Sequence, residues 1–298
     1  KEQPMLYSGS RDKSIIEWTL NLDSPVEFEV DQESKKTDFL VGKPQRALKG
    51  HNHFVSCIAL SSDGKRLVSG SWDKTARIWD LNTKKTVKIL KGHSKDILSC
   101  AFSADERMIF TGSMDKTLKY WNNLGEMKFE QNQIYGWVSS MVNIKKGKDH
   151  FMAVGSWDSD VRIFNKDYSN FREIKGNDYA VTSMSVSEEG DYLFVAHKDG
   201  TIKVYSLAEE ESKEDTCRQT IETNVDVNAI LFESTYFNIY ALGTSQGLQI
   251  REVKGGVLLN HQLEKPCPCN ALCYDPSKGY LFAGFADGTI RVFKISNK

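Results

Sequence analysis

Short apolar runs separated by polar turns make up the chain between residues 55 and 90. Val55–Leu60 is a nearly continuous apolar run, as expected of a strand covered on both faces. Residues 66–71 and 76–81 predict two further strands, and residues 86–90 predict a fourth. Asp73 lies between the second and third strands, where its side chain can bond backbone two residues further on and stabilise a tight turn. The segment therefore predicts a four-stranded unit whose first strand is innermost.

The phrase around this turn returns seven times along the chain. Its best copy is Gly70–Trp79, in which an Asp stands six residues before the closing aromatic. The other copies span residues 9–18, 112–121, 155–164, 196–205, 243–252 and 284–293. From Asp73 to Asp199 the turn aspartates are 41 to 43 residues apart. The copy at 243–252 is degenerate, because Gln246 replaces the Asp and a one-residue deletion brings Arg251 to the aromatic position.

A period of about 40 to 45 residues, with Gly-His upstream and Trp-Asp at the end, is the WD40 signature of a β-propeller blade. Gly50-His51 precedes Trp79-Asp80, and Gly92-His93 precedes Trp121-Asn122. The chain is therefore predicted to be an all-β, seven-bladed β-propeller that forms a single domain over residues 1–298. The expected blades are residues 1–48, 49–90, 91–134, 135–176, 177–222, 223–262 and 263–298.

The two ends of the sequence predict how the ring closes. Leu6–Ser10 corresponds to the second strand of blade one, and Arg291–Ile295 to the third strand of blade seven. The inner strand of blade one and the outer closing strand of blade seven are absent from the given chain. Propellers close by letting an N-terminal segment supply the last outer strand, which removes an exposed edge. About 25 to 35 further residues are therefore expected upstream, on the repeat length.

Two sets of polar residues predict a hydrogen-bond network within the blades. The indole donates to a hydroxyl, the hydroxyl to an imidazole, and the imidazole to a carboxylate. The first set is His51, Ser69, Asp73 and Trp79, and the second is His93, Thr111, Asp115 and Trp121. A Ser, a His and an Asp also suggest a hydrolase triad. Recurrence in consecutive repeats, with a Trp donor and no strand-elbow-helix context, favours a structural network.

Composition excludes several classes of partner and chemistry. Lys+Arg number 39 against 40 Asp+Glu, a net charge of −1, so a polyanionic partner must be met by a local patch. No apolar stretch approaches a membrane span, and neither a secretory leader nor an Asn-x-Ser/Thr acceptor is visible. We expect a cytoplasmic protein without catalytic residues, cofactor, metal or small-molecule substrate. Cys267, Cys269 and Cys273 lack a second ligand cluster, so free thiols are expected.

Two polar stretches lengthen the connections between blades. An acidic insertion at residues 23–41 holds six carboxylates against two lysines, and residues 208–218 separate blades five and six. Both are interpreted as solvated loops.

Residues 42–56, with Ser61-Ser62-Asp63-Gly64 and the phrase at Gly70 after them, resemble the receptor for activated C kinase family. So do residues 10–16 and 282–284. The resemblance covers all seven repeats and is tightest in the first three. It implies a non-enzymatic scaffold on the head of the small (40S) ribosomal subunit near the mRNA exit. It also implies partners: 18S-type rRNA, neighbouring ribosomal proteins, protein kinase C-like kinases and translation factors.

The resemblance further implies which residues hold the protein on the ribosome. Family members bind largely through basic residues of the first two blades. The matching positions are Arg11, Lys13, Arg46, Lys49 and His53, with Lys95 in the equivalent loop one blade on. Cations on short turns suit sequence-independent phosphate contacts, because little entropy is lost on binding.

The chain departs from the family in two places. Residues 259–269 are compact where relatives often carry a longer protrusion, and Gln246 and Arg251 change blade six, part of the family's kinase-docking surface. The alternative is another WD40 adaptor, such as a G-protein β-like subunit not bound to ribosomes. That hypothesis requires a helix with a heptad repeat ahead of Lys1.

Overall fold

A computed structural model of the chain describes residues 4–22, 42–147, 149–165, 167–168, 170–176, 178–207, 216–233, 239–252, 257–262 and 266–295. These residues form β-strands and no helix, so none of them builds a helix that could cross a bilayer. The acidic insertion at 23–41 and most of the second polar stretch lie outside the described residues. Thr216–Glu222 is a strand, which corrects the expectation that the loop extends to residue 218.

The strands form seven antiparallel sheets, each built from consecutive strands. The first sheet holds β1 Met5–Gly9, β2 Ser14–Leu20 and β3 Gly42–Lys49; the second holds β4 Val55–Leu60, β5 Arg66–Ser71, β6 Thr75–Asp80 and β7 Lys85–Lys91. The third holds β8 Ile97–Phe102, β9 Met108–Ser113, β10 Leu118–Asn122 and β11 Met127–Gln131; the fourth holds β12 Val138–Lys146, β13 Asp149–Ser156, β14 Val161–Phe164 and β15 Phe171–Ile174. The fifth holds β16 Val181–Val186, β17 Tyr192–His197, β18 Thr201–Ser206 and β19 Thr216–Glu222; the sixth holds β20 Val227–Glu233, β21 Ile239–Thr244, β22 Gly247–Glu252 and β23 Val257–Gln262. The seventh holds β24 Cys269–Asp275, β25 Tyr280–Phe285 and β26 Ile290–Lys294.

The first strand of blade two has the predicted bounds but not the predicted burial. Leu60 is 46% exposed, and Ser56 is also exposed. The expectation that this strand is covered on both faces is therefore wrong. The reason is its position: the first strands β4, β8, β12, β16, β20 and β24 contact one another in succession around the ring. One side of such a strand faces the ring axis rather than a neighbouring blade.

Seven hydrophobic clusters lie between neighbouring sheets of the described chain, one at each junction. Between blades two and three, for example, Val68 and Ile78 pack with Ile97. Between blades seven and one, Phe282 packs with Leu22, whose carbonyl accepts a hydrogen bond of 3.0 Å from the Tyr280 hydroxyl. Burial is distributed around the ring rather than concentrated in one centre. The fold is the predicted seven-bladed β-propeller.

The glycine that opens the turn phrase has a packing reason in blades two and three. A Cβ at Gly70 would lie 2.5 Å from Cγ2 of Ile97, and a Cβ at Gly112 would lie 2.3 Å from Cγ1 of Val138. Ile97 and Val138 are the first residues of the next blade's inner strand. Glycine therefore allows the next inner strand to approach the blade closely.

Candidate functional site

Blades two and three contain matching buried hydrogen-bond networks. In blade two, Trp79 Nε1 donates to Ser69 Oγ at 2.8 Å, and Ser69 Oγ lies 2.7 Å from His51 Nε2. His51 Nδ1 lies 2.8 Å from the Asp73 carboxylate. Blade three repeats the arrangement through His93, Thr111, Asp115 and Trp121, with distances of 2.8 Å throughout. Each network joins the loop before the first strand to the β-turn between the second and third strands.

The turn carboxylates are the electrostatic centres of these networks. Burial by itself raises the pKa of Asp73, but hydrogen bonds from His51, Thr75 and the Asn52 backbone outweigh it and lower that pKa below its usual range. For Asp115, burial is again outweighed, by His93, Thr117 and the Ser94 backbone. Both aspartates are therefore ionised at neutral pH and fix their turns.

The buried hydroxyl of Ser69 is badly placed for nucleophilic attack. Its residue has no exposed surface, and its oxygen already accepts the Trp79 indole proton. A nucleophile must reach a substrate carbonyl beside an oxyanion hole. The geometry favours a structural role for the network over a hydrolase triad.

Blade one keeps part of this arrangement, and blade six departs from it. In blade one, Trp18 Nε1 donates to Ser8 Oγ at 2.8 Å, and Asp12 accepts from the backbone and hydroxyl of Ser14. In blade six, Arg251 pairs with Tyr240 across β21 and β22, just as Trp79 pairs with Leu67 in blade two. This register places Arg251 at the aromatic position, as the one-residue deletion predicts.

Blade four replaces the histidine with a buried arginine. The backbone N–H of Tyr135 donates to Asp158 at 3.0 Å, as those of Asn52 and Ser94 do to their turn aspartates, so the preceding residue, Ile134, stands where blades two and three have histidine. Arg162 lies 3.0 Å from Asp158 and 2.8 Å from Glu173, with its side chain almost completely buried. An ion pair here substitutes for the imidazole–carboxylate bond.

Most of the predicted ribosome-binding residues lie on one face of the ring, which we call the turn face. It consists of the turns between second and third strands and the loops before first strands. Arg11 and Lys13 are exposed on the turn of blade one, His53 and Lys95 are exposed in the loops before β4 and β8, and Lys49 is exposed at the end of β3. Hydrogen bonds from Ser14 lower the pKa of Asp12, and the positive charge of Lys49 contributes to the same shift.

Arg46 lies apart from these residues. It is opposite Glu17 in the middle of β3, three residues from Lys49, and so about 10 Å from the turn face along the strand. Its exposed side chain belongs to the outer rim of blade one. The structure therefore groups Arg11, Lys13, Lys49, His53 and Lys95 and leaves Arg46 outside the group.

Two cations of the turn face were missed by sequence reasoning. Lys74 and Lys116 follow the turn aspartates of blades two and three, as Lys13 does in blade one. All three have left-handed backbones, with φ of 73° at Lys13, 69° at Lys74 and 68° at Lys116. Blades five and seven have glycine at this position, Gly200 and Gly288, both at φ 86°. The visible signal was the Asp-Lys dipeptide in three successive repeats.

An aromatic cluster on the turn face was also missed. The rings of His53 and Trp72 are stacked with centroids 5.7 Å apart, and Phe54 lies 5.2 Å from Trp72. The Arg11 guanidinium carbon is 5.8 Å from the Phe54 ring centroid. His53 Nδ1 accepts the Phe54 N–H at 2.8 Å, so its ring acts here as an aromatic surface. Only the fold brings these residues together, because they come from three separate segments.

The described residues contain no group of three or more His, Cys, Asp or Glu side chains arranged to hold a metal ion. All six cysteines are free thiols. Burial raises the pKa of Cys269 to about 12 and also raises that of Cys273, so both thiols are protonated at neutral pH.

Seven sheets in a ring, with an Asp-centred turn in successive blades, define a WD40 β-propeller. The WD40 family, described as "WD domain, G-beta repeat", matches residues 42–80, 84–122, 169–206 and 256–294. The chain is 38% identical over 310 residues to the small ribosomal subunit protein RACK1y of Oryza sativa subsp. japonica, covering 98% of this chain and 89% of that protein. It is 36% identical over 307 residues to the small ribosomal subunit proteins RACK1 of Caenorhabditis elegans and Drosophila melanogaster. These alignments cover 99% of this chain and 90% and 91% of those proteins. The chain belongs to the RACK1 family, that of the receptor for activated C kinase.

Proposed function

We propose that this protein is a non-enzymatic scaffold of the small ribosomal subunit, bound in the cytoplasm to the head of the subunit near the mRNA exit. The observation that carries the proposal is the series of cations on the turn face of the first three blades. Lys13, Lys74 and Lys116 occupy successive turn tips in a chain of net charge −1. The relatives' names, which place them in the small ribosomal subunit, support the same assignment.

The turn-face cations suit rRNA phosphates for two reasons. Turn tips are short and held by hydrogen bonds that the turn aspartates accept, so the lysines lose less backbone entropy on binding than they would on a mobile loop. The neighbouring carboxylates are committed to the blade: Asp12 bonds Ser14, and Asp73 bonds His51 and Thr75. The contacts expected are with 18S-type rRNA and adjacent ribosomal proteins.

Bound in this way, the propeller leaves other blades for partner proteins. Protein kinase C-like kinases and translation factors are the partners we propose for that surface. Blade six differs from the usual blade at Gln246, in the turn between β21 and β22, and at Arg251, on β22. A kinase partner must accept these changes, so kinase docking is a separate question from ribosome binding.

The test is sedimentation of the native protein with small subunits through sucrose gradients at low and high salt. Phosphate contacts make affinity fall steeply with salt, by about 0.7 to 0.9 of a unit in the log–log slope per contact. Wild type should move with subunits at low salt and be released at high salt. Arg11→Asp/Lys13→Glu should reduce the slope and shift the protein to the free fraction at low salt.

The matched control is Lys65→Glu/Arg107→Glu. Lys65 and Arg107 are exposed, but lie in the turns between first and second strands, on the opposite face of the ring. This variant carries a similar change in net charge and should stay with the subunit. Release of both variants to the same extent would contradict binding through the turn face. Circular dichroism melts check that both double variants are folded.

A further inference from the structure

We infer that Trp72, supported by His53 and Phe54, is a stacking site for an unpaired RNA base on the turn face. The inference rests on the proposed function, because it adds a base contact to a surface proposed to bind rRNA phosphates. Trp72 is 36% exposed in the turn between β5 and β6. Its neighbours His53 and Phe54 come from the loop before β4. The backbone N–H of Trp72 donates to the Phe54 carbonyl at 3.0 Å, which holds the turn and the loop together.

The aromatic surface is rigid and extended. His53 is stacked on Trp72 at an interplanar angle of 25°, and Phe54 is tilted against Trp72 at 46°. Phe54 is half-buried and packs under the exposed rings of His53 and Trp72. A planar base that stacks on rings already held in place loses little protein entropy on binding. Exposed aromatic rings on a cationic surface are the arrangement that binds single-stranded nucleic acid.

The positive charge of this surface favours RNA over other binding partners. Arg11 lies over Phe54, and Lys74 lies two residues after Trp72 with its side chain exposed. The nearby carboxylate of Asp73 is engaged by His51, Asn52 and Thr75, so it offers little to a cationic peptide. A polyanionic chain with accessible base faces satisfies both the rings and the cations. A duplex satisfies only the cations, because its bases are already stacked.

Blade four provides a natural control at the same position in the repeat. Trp157 is 40% exposed. Its backbone N–H donates to the Trp137 carbonyl, just as the backbone N–H of Trp72 donates to the Phe54 carbonyl. The two indoles of blade four stack at 4.3 Å, and Lys198 lies 5.2 Å above Trp157. The turn tip, however, carries Ser159 followed by Asp160 where blade two has Lys74 followed by Thr75. Trp157 therefore has the exposure of Trp72 without its cationic turn.

The experiment compares Trp72→Ala, Trp72→Phe and Trp157→Ala in two binding assays. Fluorescence anisotropy measures affinity for an oligouridylate of about 12 nucleotides, long enough to span a binding site of this kind, and for an RNA duplex of equal length. Sedimentation measures binding to small subunits. Trp72→Ala should weaken oligouridylate binding about 5- to 150-fold, the equivalent of one lost base stack, without changing the salt slope. Trp72→Phe should retain most of the affinity, and Trp157→Ala should bind like wild type.

Several outcomes overturn the inference. One is that wild type fails to bind oligouridylate, or that Trp72→Ala binds it unchanged. Another is an equal loss for duplex and single strand, which indicates a phosphate contact. Loss of subunit binding with oligouridylate binding intact assigns Trp72 to a ribosomal protein. If wild type does not sediment with subunits at any salt, the proposed function fails, whereas the oligouridylate assay still decides whether a base stacks on Trp72.

Discussion

The guanidinium of Arg162 lies 3.0 Å from the carboxylate of Asp158, in the blade where Ile134 occupies the usual histidine position. The same guanidinium reaches Glu173 at 2.8 Å on the outer strand. One cation thus connects the turn of blade four to β15, whereas the histidines of blades two and three connect their turns to the loop before the first strand. The turn needs a partner for its buried carboxylate, and more than one side chain can supply it.

Replacing Arg162 with Leu should lower the free energy of unfolding by about 3 kcal/mol. The change removes the cation and leaves Asp158 partly buried without its ion pair, a costly arrangement in a protein interior. Urea denaturation measures the loss. The control is Lys175→Ala, because Lys175 also pairs with Glu173 but is 73% exposed. Its unfolding midpoint should stay close to wild type, and equal losses for both variants would contradict the importance of burial.

Asp73→Ala should lower the free energy of unfolding by about 3 kcal/mol, because His51 and the N–H groups of Asn52 and Thr75 lose a buried acceptor. Asp12→Ala is the matched control at the same turn position. Asp12 is exposed and bonds Ser14 in the same way. Its loss should be clearly smaller. Thermal melts of the two variants that coincide would show that the bond to His51 contributes little.

The repeat spacing was enough to predict the blades, because each turn phrase fixes two strands and their register. The prediction of Arg66–Ser71 as a strand matches the structure residue for residue. The degenerate sixth copy also agrees, since the deletion after Gln246 keeps Arg251 in register with Tyr240. These features are local in sequence, and local features can be read from one chain.

Contacts between segments could not be predicted in this way. The Arg162 ion pairs depend on β14 and β15 lying side by side, and the Trp72 cluster depends on a loop folding over a turn. The left-handed φ of Lys74 is signalled only indirectly, by Gly200 and Gly288 at the same position of blades five and seven. The prediction that the inner strand of blade two is buried on both faces was wrong at Leu60, because a hydropathy pattern does not show which side of a strand faces the ring axis.

Stability should fall as pH drops below about 6.5, in part through His197. Burial lowers the pKa of His197, and Lys203 adds to this, while the bond to the Tyr179 carbonyl and the charge of Asp199 oppose it. The unfolded chain therefore binds the proton more readily than the folded chain. Stability from the neutral imidazole is present above the unfolded pKa and is lost as pH falls below it, by at most about 1.4 kcal/mol per pH unit.

The variant that tests this is His197→Ser, because serine occupies the same turn position in blades two and three. There Ser71 and Ser113 donate to the equivalent carbonyls at 3.1 Å. The variant should be less stable at pH 7, because it leaves a cavity. Its free energy of unfolding should nevertheless fall less steeply than that of wild type between pH 6.5 and 5.5. Parallel curves from urea titrations at each pH would exclude His197 as the source.

Lysine at the turn tips should lower the free energy of unfolding and strengthen binding to small subunits. At φ near 70°, a side chain is strained by about 1 kcal/mol, which glycine avoids. Lys74→Gly and Lys116→Gly should therefore leave the free energy of unfolding unchanged or raise it by up to about 1 kcal/mol. Binding to small subunits should weaken at the same time, with each change reducing the salt slope by about 0.7 to 0.9. The control is Ser159→Gly, which relieves a φ of 76° at the tip of blade four, where no lysine stands, and should leave subunit binding unchanged. If Lys74→Gly and Lys116→Gly bind subunits as wild type does, these lysines are not phosphate contacts, and the proposed face shrinks to blade one and the loops beside it.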